Sequence, residues 1–482
     1  MHIQRVLRFV GFLVIFLGAS MIFPLLVSLL YHDGITLAIF YAMLISLSIG
    51  LLLLVITKRG RGVVLSHRDG VAIVTLGWVA ACLVGSIPFL TSGSIMGFTN
   101  AYFESMSAFT TTGASILSDI ERVPEGILLW RSITQWFGGM GIIVLSIAIL
   151  PLLGIGGMQL YKAEVPSPVV DKLKPRISET AKSLWKVYAL ITLLEIIFLF
   201  AGGMNLFDAV CHAFCTMPTG GFSTRNLSIA YYSSAYFDVI IMVFMLIAGI
   251  NFSLHYKLIK GDLAIFGKDP ECRVYVLLVI FFILVVSLNL YGTIYEKISD
   301  SLRYAAFQVS SIITTTGFTT ADFDKWPSFS KNILLLCMFI GAMAGSTGGG
   351  IKIMRIILLV KHAYLEIFRI IHPHAIKTVK LGKQTVPDDI LNSIWGFFIL
   401  YLTLFVVAAL IMSLLGLDMI SAFSSVAACI FNIGPGLGSV GPANNYLAVP
   451  LIGKWVLILC MLMGRLEIYT VIVLLIPEYW RK

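Results

Sequence analysis

The chain has 482 residues, 58% hydrophobic and only 12% charged, with a mean hydropathy of +0.94. Soluble domains carry about 25% charged residues, so this balance excludes a soluble enzyme or binding module and defines a polytopic membrane protein. The net charge of +9 does not point to nucleic acid: the basic residues cluster in short loops between apolar runs, where membrane topology accounts for them.

A membrane span needs about 20 apolar residues. Residues 6–30 and 35–56 are the first two candidates, joined by a tight turn at His32-Asp33-Gly34. The first run continues past Phe23-Pro24 with no small-residue cleavage site, so it is expected to remain as a span. A basic loop follows, Lys58-Arg59-Gly60-Arg61 with His67 and Arg68.

From there a pattern recurs four times: an apolar run, a short half-apolar segment, a glycine loop and a second apolar run. The four loops are Thr110-Thr111-Thr112-Gly113-Ala114, Pro218-Thr219-Gly220-Gly221-Phe222, Thr314-Thr315-Thr316-Gly317-Phe318 and Asn432-Ile433-Gly434-Pro435-Gly436. The short segments, residues 99–109, 206–215, 302–313 and 420–430, are too short to cross and fit re-entrant half-helices. A period of about 100 residues is too long for a solenoid.

The expected fold is therefore all-α. It has an N-terminal transmembrane hairpin (1–69) and four helix–pore loop–helix repeats (70–181, 182–270, 271–388 and 389–482) around a central pore. That makes ten full spans and four half-helices. The loops at 57–70, 162–182, 257–273 and 352–383 are rich in Lys and Arg, which keeps them cytoplasmic. All four glycine loops then fall on the other face, beside Glu104, Asp119, Glu121, Asp208, Asp322 and Asp324, and both termini lie inside.

Irregular backbone at membrane depth persists only where protein or water satisfies it. Glycine permits φ > 0 and so aims successive carbonyls one way. Four such loops around an axis make rings of carbonyls that replace the hydration shell of a monovalent cation. The half-helices point their partly negative C-terminal ends at the same axis. The expected ion-binding set is Thr111, Thr112, Gly113, Thr219, Gly220, Gly221, Thr315, Thr316, Gly317, Asn432, Ile433 and Gly434. The fourth loop lacks the threonines of the others and is expected to coordinate less well. In the second, the following Phe222, matched to Phe318, favours Gly221 over Gly220 as the central glycine.

A second unusual stretch, Gly345-Ser346-Thr347-Gly348-Gly349-Gly350 with Lys352, interrupts the apolar region 333–360. Three consecutive glycines are poor helix material, so a flexible gate is preferred over small-residue helix packing through Gly341, Gly345 and Gly349. The same stretch misses a phosphate loop by one residue at Lys352. Gly436-x-Gly438-x-x-Gly441 has no βαβ unit around it and is set aside.

Arg465, deep in the last span, is expected to face the pore and either repel cations or bond the carbonyls of the 345–350 loop. The competing reading is a salt bridge to another helix, for instance to Glu195, with Glu467 facing elsewhere. Most of the eight histidines fall at loops or span ends, and His212 reads as packing. The seven cysteines are scattered in apolar runs without metal-ligand spacing. No nucleophile–base pair or carboxylate pair supports an enzyme. An ion-coupled symporter of potassium or another small solute is the alternative transport reading. It calls for inverted halves with matched broken helices, whereas the sequence predicts one broken helix.

Taken together, four helix–loop–helix repeats with one glycine each, an interrupted third-repeat helix and an arginine in the last helix resemble the Trk/Ktr/HKT superfamily of cation transporters. The likeness covers the whole chain and is closest to the membrane subunit of bacterial Trk systems. The resemblance implies potassium (K+) uptake across the bacterial inner membrane, with Gly113, Gly221, Gly317 and Gly434 as filter glycines. Retention of Gly113 favours potassium, since plant relatives with serine there prefer sodium. It also implies that residues 345–350 gate the pore with Arg465, that the protein is a homodimer, and that it docks a cytoplasmic TrkA-type ring binding NAD(H) and other nucleotides. This chain carries no organic cofactor site of its own in that reading.

Overall fold

In the computed structural model, residues 3–57, 67–148, 177–375, 377–382 and 384–480 are described. The expected basic residues Lys58, Arg59, Arg61, Lys162, Lys172, Lys174, Arg176, Lys383, Arg481 and Lys482 lie outside them. The described residues are overwhelmingly helical, with one two-residue β pairing, Lys380–Leu381 against Gln384–Thr385.

The N-terminal hairpin consists of α1 (Ile3–Ser20), its continuation α2 (Ile22–Tyr31), and α3 (Thr36–Ile56). The turn between them depends on His32, which adopts a left-handed φ of 54°. Small residues bring α1 and α3 together: a Cβ on Gly50 would sit 3.1 Å from the Gly11 carbonyl, and one on Gly18 would sit 3.1 Å from Ser46 Cβ. Helix association in lipid relies on such close backbone approach. The other faces expose Phe9, Phe12, Phe16, Leu51, Leu52 and Ile56, which suits hydrocarbon.

The fourfold pattern is then laid down in order. First come α4 (His67–Thr91), half-helix α5 (Phe98–Phe109) and α6 (Glu125–Ala148). Next are α7 (Ile177–Ala201), half-helix α8 (Leu206–Thr216), α9 (Ala235–Ala248) and α10 (Phe252–Ile259). The third set is α11 (Pro270–Leu290), half-helix α12 (Ile298–Ile313), α13 (Ser328–Phe339) and α14 (Ile353–Ile371). The last is α15 (Asp388–Leu414), half-helix α16 (Met419–Ile430), α17 (Leu451–Leu466) and α18 (Ile468–Ile472). Among the described residues, six helices are long and apolar enough to cross a membrane by themselves, and eight if two sharply bent pairs each count as one span.

Those bends correct the expectation of a single broken helix. Besides the 340–352 interruption, α9 and α10 meet at 101°, and α17 and α18 at 116°. The breaks satisfy one another. Met343 donates its N–H to the Gly249 carbonyl at 3.0 Å, and Phe252 donates to the Gly345 carbonyl at 3.1 Å. Backbone groups released by one break thus find partners in another, as burial in a membrane requires. Asn251 caps α10 by accepting from Ser253 N at 2.8 Å.

The half-helices expose their first turns and bury their C-terminal parts. In α5 every residue from Ala101 to Phe109 is buried, and in α16 every residue from Ser424 to Ile430. Their C-termini converge on the loops that follow.

Candidate functional site

The four glycine loops share one backbone conformation. In each, two positions two residues apart take positive φ: Thr111 (52°) and Gly113 (80°), Thr219 (57°) and Gly221 (73°), Thr315 (59°) and Gly317 (84°), Asn432 (55°) and Gly434 (101°). The intervening N–H reaches back five residues in every case, with Thr112 to Ser107 O, Gly220 to Cys215 O, Thr316 to Ser311 O and Ile433 to Ala428 O, all at 2.8 Å. This register makes Gly221, not Gly220, the equivalent of Gly113. It also makes Asn432 the equivalent of Thr111, Thr219 and Thr315.

The loops close into a ring. A Cβ on Gly113 would strike the Gly220 carbonyl, one on Gly221 the Thr316 carbonyl and one on Gly317 the Ile433 carbonyl. One on Gly434 would lie 2.7 Å from the Thr112 carbonyl, which completes the circuit. Each glycine is therefore required twice, for its left-handed φ and for the neighbouring loop's oxygen. The contacts set the cyclic order one, two, three, four. They also place the carbonyls of Thr112, Gly220, Thr316 and Ile433 at one level.

The threonine hydroxyls of the middle position turn away from that ring. Thr112 Oγ1 pairs with Thr110 Oγ1 and Thr316 Oγ1 with Thr314 Oγ1, both at 2.8 Å. The fourth loop is not looser for lacking threonines. Asn432 Nδ2 donates to Thr112 Oγ1 at 2.9 Å and to the Met461 carbonyl at 3.0 Å, tying loop four to loop one. The ring itself is made of backbone carbonyls, which the fourth loop supplies as the others do. Among the described residues, buried Thr111 Oγ1 and Asn432 Oδ1 have no hydrogen-bond partner.

Several supporting residues were not anticipated. On each half-helix, at or next to the same register position, a buried polar side chain bonds the strand leaving the loop. Glu104 accepts from Ile116 N at 2.9 Å, and His212 Nε2 meets Ser223 Oγ at 2.9 Å. The Gln308 amide, with its oxygen toward the strand, accepts from Thr320 N at 2.8 Å, and Ser424 Oγ accepts from Leu437 N at 2.9 Å. His212 is thus more than packing. Glu104 also forms a fully buried ion pair with Arg131 at 2.7 Å. The Arg131 guanidinium stacks 3.5 Å above Phe222 and donates to the Ser223 carbonyl, so it joins loops one and two. From the same helix, Gln135 donates to the Gly220 carbonyl at 2.7 Å. On the side of the strands that leave the loops, an open vestibule is lined by Gly113, Gly221, Gly317, Gly434, Arg225 and Tyr446.

On the other side of the ring sits the 341–350 segment. It is not helical, so it is not a small-residue packing helix. Gly349 N donates to Thr315 Oγ1 at 2.6 Å, and Thr347 Oγ1 donates to the Met217 carbonyl at 2.9 Å. A side chain on Gly349 would collide with the Phe431 carbonyl, which explains that glycine. Lys352 Nζ donates to the Gly348 carbonyl, and the Ser346 hydroxyl bonds Met343 O at 2.6 Å. Gly345 and Gly350 take φ of 72° and 70°. Buried Glu271, in the first turn of α11, brackets the interruption by accepting from Ala344 N at 2.9 Å and Met354 N at 3.1 Å.

Arg465, 3% exposed, donates to the Thr347 carbonyl at 2.7 Å and to the Gly138 carbonyl at 3.2 Å. Its bonds are to carbonyls, and Glu195 is not among them. Glu467 does not face away from the site. At φ of 63° it turns the chain and pairs with Arg355 at 2.9 Å, at the start of α14. Thr347, Gly348 and Gly349 thus lie against the loops and bond Arg465 through the Thr347 carbonyl, whereas Gly345 packs on Asn251 and Ser346 bonds only within its own segment.

A membrane protein that surrounds an axis with four such loops is a transport protein. The family model TrkH, described as a cation transport protein, matches residues 35–482. Among curated relatives, the Trk system potassium uptake protein TrkH of Salmonella typhimurium is 44% identical over 100% of both chains. The Trk system potassium uptake protein TrkG of Escherichia coli is 36% identical over 100% of this chain and 99% of its own. The crystal structure of the potassium transporter TrkH from Vibrio parahaemolyticus superposes with a TM-score of 0.92, at 41% identity and full coverage of both chains. The chain belongs to the TrkH family of cation transport proteins, a family of transporters and not of enzymes.

Proposed function

We propose that this protein carries potassium into the bacterial cell across the inner membrane, through a channel-like pore whose filter is the ring of four glycine loops. The observation that supports this most is the circuit of glycine against carbonyl from Gly113 to Gly434. It makes a fixed cage of oxygens with no room for side chains. A cation arriving in the vestibule exchanges water for the carbonyls of Thr112, Gly220, Thr316 and Ile433. The negative ends of four half-helices stabilise it there. The unpartnered oxygens of Thr111 and Asn432 are its next contacts.

The 345–350 segment is the gate. Its bonds to Thr315, Met217 and Arg465 hold it across the axis beneath the ring, and the arginine adds positive charge to the barrier. Opening exchanges those bonds for water. The division into a hairpin and four pore repeats, a homodimeric assembly and both termini in the cytoplasm belong to the same reading. A cytoplasmic TrkA-type ring binding NAD(H) or another nucleotide would act through the basic face at 352–383, where α14 leads directly from the gate.

The experiment is potassium against sodium flux into liposomes holding the purified protein, under an imposed gradient. Potassium-selective flux down the gradient without proton movement supports the pore. Flux that requires a proton or sodium gradient supports the coupled symporter instead.

A further inference from the structure

Gln135 is fully buried on α6, one turn beyond Arg131, and its amide is spent on one loop. Nε2 donates to the Gly220 carbonyl at 2.7 Å, and Oε1 accepts from Phe222 N at 3.3 Å. A carbonyl on one side and an N–H on the other fix which way round the amide sits.

Gly220 occupies the position held by Thr112, Thr316 and Ile433 in the other loops. In loops one and three a hydroxyl pair, Thr110 with Thr112 and Thr314 with Thr316, ties that position from behind. Loop two has Pro218 and Gly220 there, so neither hydroxyl exists. Gln135 fills the space: a Cβ on Gly220 would lie 2.8 Å from Gln135 Nε2 and nearer still to its Cδ. Gly220 has no positive φ, so the amide, not the backbone, demands the glycine.

The consequence falls on the ring. Among the described residues, the carbonyls of Thr112, Thr316 and Ile433 receive no protein hydrogen bond, whereas that of Gly220 receives one. A carbonyl that shares its lone pairs with a donor is held in direction and presents a weaker field to an ion. Weaker fields favour the larger, less tightly hydrated cation. We infer that Gln135 is a specificity-determining positioning residue, which sets the field of the second quadrant through the Gly220 carbonyl and so favours potassium over sodium. The inference rests on the filter reading above.

The test compares potassium and sodium flux ratios in liposomes for the full-length protein, Gln135→Met, Gln135→Glu and Gly113→Ser. Methionine keeps the length and removes the donor. Glutamate has nearly the same shape, keeps the acceptor for Phe222 N and adds negative charge, and it serves if the methionine variant fails to fold. The expected result is a potassium-to-sodium ratio about tenfold lower for Gln135→Met, equivalent to ~1.4 kcal/mol, and lower again for Gln135→Glu. A second pairing follows: Gly220→Ala should cut total flux, and adding Gln135→Ala should restore it, because the shorter side chain vacates the space. If both Gln135 variants reduce the two fluxes in proportion while Gly113→Ser changes the ratio, Gln135 is merely structural and the inference is wrong. If Gly113→Ser leaves the ratio unchanged as well, the filter reading fails and takes this inference with it.

Discussion

Arg465 donates to the carbonyl of Thr347 at 2.7 Å, and this bond joins the end of α17 to the middle of the interrupted segment against the ring of loops. Two residues on, Glu467 holds Arg355 at the start of α14. The fourth repeat therefore grips the 345–350 segment in its middle and again where it returns to helix.

Removing the grip should open the pore. A hydrogen bond from a charged donor is worth about 1.5–3 kcal/mol. Arg465→Ala is therefore expected to raise basal cation flux roughly ten- to hundredfold, without any cytoplasmic partner. Liposome flux checks this. A fall in flux from protein that purifies normally would make Arg465 a structural residue.

Glu271 acts on the same segment from the other side. Its loss strands two buried N–H groups, Ala344 and Met354, at about 1–3 kcal/mol each. Glu271→Ala should give a leaky pore, and Glu271→Gln, which retains an acceptor oxygen, should be close to wild type. Basal flux with both variants tests the pair. Equal leakiness in the two would mean that the charge matters and the hydrogen bonds do not.

In the proposed filter, Gly113→Ser adds a side chain that meets the Gly220 carbonyl and strains a φ of 80°. The ring must distort, so discrimination against sodium should fall at least several-fold while some flux persists. Competition between potassium and sodium in the flux assay measures it.

The ion pair behind the first two loops is a stability element. Glu104→Ala leaves Arg131 buried and uncompensated, at a cost of about 3–5 kcal/mol. The variant should melt well below wild type in detergent. Replacing both partners with apolar residues should recover part of the loss, and a melting temperature that does not move in the single variant would show the pair to be solvated.

Much of this was legible in the chain. The four glycines and the half-helix ends were readable because each loop interrupts apolar sequence, and the observed half-helices start or stop within a few residues of expectation. The partners of the glycine loops were harder to see. Glu104, His212, Gln308 and Ser424 do similar work with four chemistries, so no repeat in residue type marks them. Gln135 did leave a signal, in the polar run Arg131-Ser132-Ile133-Thr134-Gln135 inside an apolar span, where each buried polar group needs a reason. The break at Gly249-Ile250-Asn251 was likewise signalled by a glycine and a capping asparagine. The turn at Glu467 was not, because nothing in its residue type announces a positive φ. Its pairing with Arg355, 112 positions away, exists only in the fold.

On this reading the ring of loop carbonyls binds the transported cation. Crystals grown with rubidium, an anomalous scatterer close to potassium in size, test it directly. An anomalous peak on the axis, within coordination distance of the carbonyls of Thr112, Gly220, Thr316 and Ile433, is the predicted result. A clear rubidium site elsewhere in the membrane region, with the ring empty, would contradict it.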